Sequence, residues 1–513
     1  MSLLDQLDEL KNRFTPGNAG KVARLLKQLS RKTFNDTDSL FRYHELLLFV
    51  RAYPQNASIV RATETELRSF ASRVSMLEQQ EVDLSPLQHP EVSGIVGTSV
   101  IDTFSFYIVR GLVQQQPSEV VIDWEWFDNE NRLADAWPRF MPLLEEDAFV
   151  EANIPYREWL AAARNGDAEL PWLIEQLNKL PKSEPERAEI YNSQQLYVRW
   201  KPGFNVSRTG MRLPSRNLFY HRGALIQRRD IDLNKELAQP SPTLKKLASE
   251  EGEKALDMAR AASTIRYREL YGFTHGDPRH VYRTELGRGV EIFLTGLPAD
   301  KRLPLRAYHA AMIYKNGIPI GYFEGLSLFE RMESGFNLYY TFRDGETAWL
   351  YARTLNVMHH FTGVTAFSLD PYQIGYENEE GIESGAFWFY RKLGFRPTRR
   401  DALQLTLKEE EKIKTRKNYR TSAATLRKLA ASPMIFEMND NRRGDWDRFQ
   451  IRKIGFKAQR GFSEHENEAL ARMVEAKASS EEVTYLKLMQ KDEGLRSAII
   501  KLGSQSTGLH GSS

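Results

Sequence analysis

Apolar residues along the first 175 positions recur every three to four places. "LFRYHELLLFVRAY" (40–53) and "ATETELRSFASRVSML" (62–77) put Leu, Phe and Val at helical spacing and leave charged residues on the other face. "DAWPRFMPLLEEDAFVEANIPYREWLAAA" (135–163) continues the pattern, with prolines as punctuation. The spacing predicts a helical N-terminal domain over 1–175, without a repeat of fixed period. The pattern then shortens. "QQLYVRWK" (194–201) and "NLFYHRGALIQ" (217–227) are aromatic and β-branched runs on either side of "PGFNVSRTGMRLPSR" (202–216), which predicts strands flanking a loop. Residues 176–244 thus read as a connecting segment with short strands, closed by a linker, "AQPSPT" (238–243).

From Leu244 two periods alternate. "LKKLASEEGEKALDMARAASTIRYRELYG" (244–272) reads as helix and "GVEIFLTGL" (289–297) as strand. "RAYHAAMIYKNGIPIGYFEGLSL" (306–328) is a hairpin, since two β-rich runs flank Asn316-Gly317, the pair favoured by a type I′ turn. "GFNLYYTF" (335–342) is a strand, "ETAWLYARTLNVMHHF" (346–361) a helix and "GVTAFSLD" (363–370) a strand. "SGAFWFYRKLGFRP" (384–397) is a helix ended by Gly394, with Phe395 placed to fold back on Tyr390 or Phe389. "ALQLTL" (402–407) reads as a closing strand. Strands near 336–342 and 364–370, joined by a helix, are predicted to be parallel neighbours. After 407 the chain is charged and helical and ends in a Gly/Ser tail expected to be disordered. The expected fold class is multi-domain α+β: a helical N-terminal domain, a mixed α/β sheet flanked by helices over 245–407, and a charged helical extension over 408–513.

Composition narrows the chemistry. The 513 residues, 41% hydrophobic, suffice for roughly two to four domains with real cores. The absence of cysteine excludes disulfides, thiolate nucleophiles and zinc–thiolate sites and fits a reducing, cytoplasmic setting. "MSLLDQLDELKNRF" lacks the apolar core of a signal peptide, and no apolar run is long enough to span a bilayer, so no membrane partner is expected. A formal charge of +3 does not argue for bulk nucleic-acid binding. The basic C-terminal region is where RNA would bind, and the helical N-terminal domain is where a protein partner would sit. Adjacent His359-His360 do not share a helical face, and His44-Glu45 lacks a second histidine four residues on, so no metal site is expected. The basic loop 204–216 reads as a solvated face or a phosphate contact. The aromatics of 384–397 are read first as core, since aromatic stripes at helical spacing usually are.

The order hairpin, strand, turn, helix, strand, helix with "FYRKLGF", strand resembles the GNAT superfamily of N-acetyltransferases over about 245–407. Ala386, Phe389, Tyr390, Lys392, Gly394 and Phe395 match its Asn-x-x-Ala-x-x-Phe-Tyr-x-Lys-x-Gly-Phe ending, with Glu383 where Asn is common. "NGIPIGYFE" looks like the family's hairpin turn. The resemblance implies a co-substrate, acetyl-CoA or another acyl-CoA, and acyl transfer to an amine acceptor in a direct ternary complex. Its pyrophosphate turn, Gln/Arg-x-x-Gly-x-Gly/Ala, corresponds to Arg343, Asp344, Gly345, Glu346, Thr347 and Ala348. Here the glycine is one place early, and two acids stand where an anion would bind a helix N-terminus. The resemblance makes Tyr390 the donor to the departing thiolate. Glu324 is the candidate base, with Glu333 and Asp370 as alternatives. Tyr372, Gln373, Tyr376 and Asn378, in the long link 370–383, are candidate substrate contacts. Two rivals follow from the same residues: a GNAT-shaped binding or scaffold protein without catalysis, and an RNA-associated protein.

Overall fold

The structure is a computed structural model that describes residues 1–15, 17–134, 136–140, 143–214, 217–457 and 464–504. The chain forms two compact units: residues 1–216 with 220–222 and 256–274, and the remainder. This is a multi-domain α+β architecture.

The first unit begins with helices Leu3–Leu10, Asn18–Leu29, Thr37–Ala52, Ala57–Arg68 and Phe70–Gln79. Ser2, Asp36 and Asn56 cap three of them by accepting a first-turn N–H. Leu7, Leu29, Leu47 and Leu67 are buried with no exposure. The unit is not purely helical. β1 (Val100–Asp102), β2 (Val120–Ile122) and β3 (Val198–Trp200) form an antiparallel sheet in the order β1-β3-β2. Position 175 is therefore no boundary, because β3 is the central strand of that sheet. Residues 217–227, read as a strand, are irregular. The centre of the basic loop is not a solvated face: Ser207, Arg208, Thr209 and Met211 are buried. Arg208 binds Glu45 at 2.6 Å and Arg212 binds Glu64 at 2.6 Å.

The second unit is built on a sheet that has nine strands among the described residues. They are β4 (Lys245–Lys246), β5 (Val281–Gly287), β6 (Val290–Thr295), β7 (Ala307–Lys315), β8 (Ile318–Leu328), β9 (Arg331–Leu338), β10 (Ala366–Leu369), β11 (Arg396–Pro397) and β12 (Met434–Glu437). Their order is β11-β12-β10-β9-β8-β7-β6-β5-β4. Every pair is antiparallel except β9 with β10, which are parallel neighbours joined by helix Thr347–Thr362. The β7–β8 turn is Asn316-Gly317, with φ of 51° and 82°, as type I′ requires. "GFNLYYTF" is strand only to Leu338; Tyr340–Phe342 is a 3₁₀ turn.

Two expectations about this unit are corrected. Residues 402–407 are not a strand but lie in helix Arg400–Thr415, whose buried face is Ala402, Thr406 and Glu409. The sheet closes instead with β12, between β10 and β11. Residues beyond 407 are consequently part of the sheet unit rather than an extension of it. Tyr485 donates to the Leu305 carbonyl at 2.6 Å, and Arg496 binds the buried Glu330 at 2.9 and 3.0 Å. Arg396 binds Glu437 and Asp447, and Arg442 binds Glu493, which ties this region further to the sheet unit. Ahead of the 238–243 linker Leu233 and Leu237 are buried, and the Asn356 amide donates to the carbonyls of Glu236 (3.0 Å) and Gln239 (2.8 Å); residues 238–240 and 243 are exposed. The Gly/Ser tail beyond Ser504 lies outside the described residues. Among the described residues, no helix is long and apolar enough to cross a membrane.

Candidate functional site

The parallel pair opens. β9 and β10 are in register only at Arg331–Ala366, Met332–Phe367 and Glu333–Ser368, while β9 runs on to Leu338 and β10 stops at Leu369. Past that point the inner edge of β9 has no strand beside it, and its backbone groups need other partners. One partner is a side chain. Asp370 accepts the Tyr372 N–H at 2.9 Å and starts the 3₁₀ turn Pro371–Ile374. That turn points Gln373 back into the gap, where Nε2 donates to the Phe336 carbonyl at 2.9 Å and to the Tyr390 hydroxyl at 3.0 Å.

Tyr390 reaches the gap from helix Ala386–Arg391. Gly394, at φ 105°, ends this stretch, and the Phe395 N–H returns to the Tyr390 carbonyl at 3.3 Å. The Tyr390 ring lies against Tyr351 (5.4 Å between centroids) and Phe395 (5.8 Å), and only 3% of the residue is exposed. Tyr390 is thus both core and edge of the gap. Burial pushes its pKa well above the ordinary 10, and the Gln373 bond only partly offsets this. Its hydroxyl stays protonated and, since Gln373 is the donor in their bond, keeps its own hydrogen to give.

On the opposite face of β9 lies a cavity of about 330 Å³. The register of β7, β8 and β9 places Tyr308, Glu324, Leu326, Glu333 and Gly335 on one face by the two-residue period of a strand. Asp370, Tyr372, Gln373 and Arg452 complete the wall. Glu324 accepts from the Tyr308 hydroxyl. Arg452 binds Glu333 at 2.9 Å and lies 3.7 Å from Asp370. The structure therefore brings together Glu324, Glu333, Asp370, Tyr372 and Gln373. Two candidates fall elsewhere. Asn378 caps helix Glu379–Glu383 by accepting the Gly381 N–H at 3.2 Å and donates to the Tyr372 carbonyl at 3.0 Å; Tyr376 stands exposed outside the cavity. Arg452 carried no signal in the sequence, being 119 residues from Glu333 and in no motif.

The proposed pyrophosphate turn is partly engaged. Helix Thr347–Thr362 starts at Glu346 without a side-chain cap, so first-turn N–H groups lack the usual capping oxygen. The Glu346 side chain is not available to a ligand. It is fully buried, bound by Arg288 at 2.5 and 3.1 Å, 3.5 Å from Lys315, and it accepts the Ile226 N–H at 3.1 Å. Its charge is neutralised inside the fold rather than presented to an anion. Arg343 is engaged by Glu380 and by the Leu338 carbonyl at 3.2 Å, and Thr347 bonds back to the Arg343 carbonyl at 3.0 Å. Gly345 and Ala348 contribute backbone only, Ala348 being buried. A cationic pair adjoins the turn. Arg228 lies in the turn Arg228–Asp230 that packs on this helix; burial lowers the Lys392 pKa, and the charge of Arg228 lowers it further. Among the described residues, no three His, Asp or Glu could hold a metal ion. No protein-family model, curated protein or solved structure matches this chain.

Proposed function

We propose that the second unit is an acyl-CoA-dependent N-acyltransferase of the GNAT type, transferring an acetyl or other acyl group to an amine. The observation that carries this reading is the parallel pair that opens after three paired residues, with a buried tyrosine hydroxyl at its edge and a carboxylate-lined cavity on the other side of β9. Strand order supports it as well, since β12 enters the sheet beyond β10 and ahead of β11 in space. The pantetheine arm would take the backbone groups that β10 leaves unpaired. The phosphates would meet the uncapped helix start beside Arg228 and Lys392, where unpaired N–H groups and the dipole favour anions. The backbone N–H groups of Thr347 and Ala348 serve there, not the Glu346 carboxylate, while the Gly345 N–H already donates to the Phe342 carbonyl at 3.0 Å.

The amine nitrogen attacks the thioester carbonyl, a C–N bond forms, and the C–S bond breaks. Glu324 takes the proton lost by nitrogen. Tyr390 donates a hydrogen bond to the sulfur as negative charge develops. A thiol has an ordinary pKa of about 8.5, below that of Tyr390, so full proton transfer from Tyr390 is uphill and its contribution is charge stabilisation. The thiolate then takes its proton from solvent.

The test is twofold. Acetyl-CoA at 100 times its dissociation constant should add about 2.7 kcal/mol to stability, read as a thermal shift. Free thiol should then appear when an amine panel is added. No shift with millimolar acetyl-CoA removes the reading. A second reading, a binding protein without turnover, draws on Gln373, which already occupies the gap. Acetyl-CoA binding with no thiol release from any amine would favour it.

A further inference from the structure

We propose that the end of helix Arg400–Thr415 and the loop after it bind the phosphate backbone of a single-stranded nucleic acid, with Trp388 as the stacking partner of a base. The proposal does not rest on the acyltransferase reading. Residues 412–420, "KIKTRKNYR", hold five basic residues and no acidic one, in a chain whose formal charge is only +3. Other cations around this helix are engaged by the fold: Lys412 with Glu409 at 2.6 Å, Arg391 with Glu410 at 2.8 Å and Arg427 with Glu379 at 2.7 Å. Among the described residues, Lys414, Arg416, Lys417 and Arg420 form no ion pair, and all four are exposed. Of the three consecutive acids on the helix, Glu409 and Glu410 are already paired, which leaves Glu411 against four free cations.

Helix stability does not account for these charges. Lys414 and Arg416 sit where cations favour the negative end of the helix dipole, but Lys417 and Arg420 lie past the helix. The loop is pinned instead. The Tyr419 hydroxyl donates to the buried Glu409 at 2.7 Å, and Asn418 turns the chain at φ 62°. At the far end the Trp388 Nε1 donates to the Thr421 hydroxyl at 3.1 Å. Arg416 lies 5.9 Å from the centre of the Tyr419 ring, which steadies its guanidinium. Cations presented on a pinned loop lose little freedom when an anion arrives. Trp388 decides which polyanion this is. Its indole is only half-buried and stands beside the loop. Single strands bind where cations track the backbone and aromatic side chains stack with bases. An acidic peptide has no base to place there, and a duplex keeps its bases stacked on one another. Two of the four cations are arginines, whose planar forks match phosphate oxygens.

Fluorescence anisotropy of the full chain with labelled oligo(U) and oligo(dT) of about 20 nucleotides, in about 50 to 200 mM KCl, tests this. Affinity should fall with salt at a log–log slope of about −3, from about 0.7 per neutralised phosphate over four contacts. Lys417→Ala combined with Arg420→Ala should cut that slope by about 1.4 and leave the urea midpoint unchanged, since neither side chain is bonded within the fold. Trp388→Leu should weaken binding roughly five- to hundredfold with the slope unchanged. Binding of either oligonucleotide alone supports the proposal and tells which sugar the site accepts. It is overturned by no binding at the lowest salt, by an unchanged slope in the double variant, or by unchanged affinity in Trp388→Leu. Tighter binding of polyglutamate, or of a duplex of the same length, would overturn it as well.

Discussion

Lys315 ends β7 with its side chain fully enclosed. Its Nζ donates to the Arg288 carbonyl at 2.6 Å and lies 3.5 Å from Glu346. Burial lowers its pKa from 10.5 to about 7, and the attraction of Glu346 opposes the fall without cancelling it. An unfolded chain holds this proton to about pH 10.5, whereas the folded protein releases it near pH 7. Between those values the unfolded state binds more protons, so stability rises with pH by about 1.4 kcal/mol per unit. Below pH 7 both states are protonated and the penalty is constant, at most about 5 kcal/mol. Lys315→Met keeps the length of the side chain and removes the titrating group. Urea unfolding of both proteins at pH 7, 8 and 9 should show the wild type gaining on the variant by about 2 kcal/mol across the range. Lys477, whose pKa burial also lowers, to about 8, is common to both proteins and cancels in the difference. Parallel stability profiles would refute the reasoning, because they would mean that Lys315 keeps its proton despite its burial.

Tyr390→Phe should leave stability nearly unchanged but slow thiol release by roughly 10²- to 10³-fold, the usual loss on removing one charge-stabilising donor, whereas Tyr390→Ala should cost about 3 kcal/mol or more in urea unfolding. Gln373→Leu leaves the Phe336 carbonyl without its present partner, so the variant should lose about 1–3 kcal/mol and recover part of it on coenzyme A binding, giving a larger thermal shift than the wild type. His309 is fully buried and its pKa is lowered to about 4 by that burial; the unfolded chain takes the proton below about pH 6.5 and the folded one does not, so stability falls as pH drops from 6.5 to 4. His309→Phe should flatten that acid limb by about 3 kcal/mol in urea midpoints measured across it.

Where local chemistry decides conformation, the chain is readable. Asn316-Gly317 specifies its turn because both positions need positive φ, and Gly394 with Phe395 specifies the end of the tyrosine helix. The parallel pair follows from a helix placed between two strands. The error at 402–407 has a physical cause. The buried face of that helix is Ala402, Thr406 and Glu409, while Leu407 is exposed, so hydrophobicity alternates along the segment although the backbone is helical. Glu409 can be buried because Lys412 and the Tyr419 hydroxyl satisfy it at 2.6 and 2.7 Å, a network that no periodicity reveals. β12, "MIFE" after Pro433, is too short to announce itself and is recruited by pairing with β10 and β11.

The site was half legible for the same reasons. Glu324 and Glu333 share a face because strand period and the register across the short β8–β9 connection at Phe329-Glu330 place them there. The role of Glu346 was not, because Arg288, Lys315 and Ile226 converge on it from other parts of the chain. The consequence reaches the mechanism. An acid in a phosphate-binding turn looks prohibitive when its charge is counted locally. Once its carboxylate is buried against the Arg288 guanidinium and the Ile226 N–H, the turn offers a ligand its backbone N–H groups, and the local objection rests on Asp344 alone. The gap has a similar origin. β10 is only four residues long and pairs with the start of β9, so the later carbonyls of β9 must find partners off the strand. Gln373 serves one of them now. A ligand that enters the gap has to supply the same hydrogen bond, which makes an amide-bearing chain a better occupant than an apolar one.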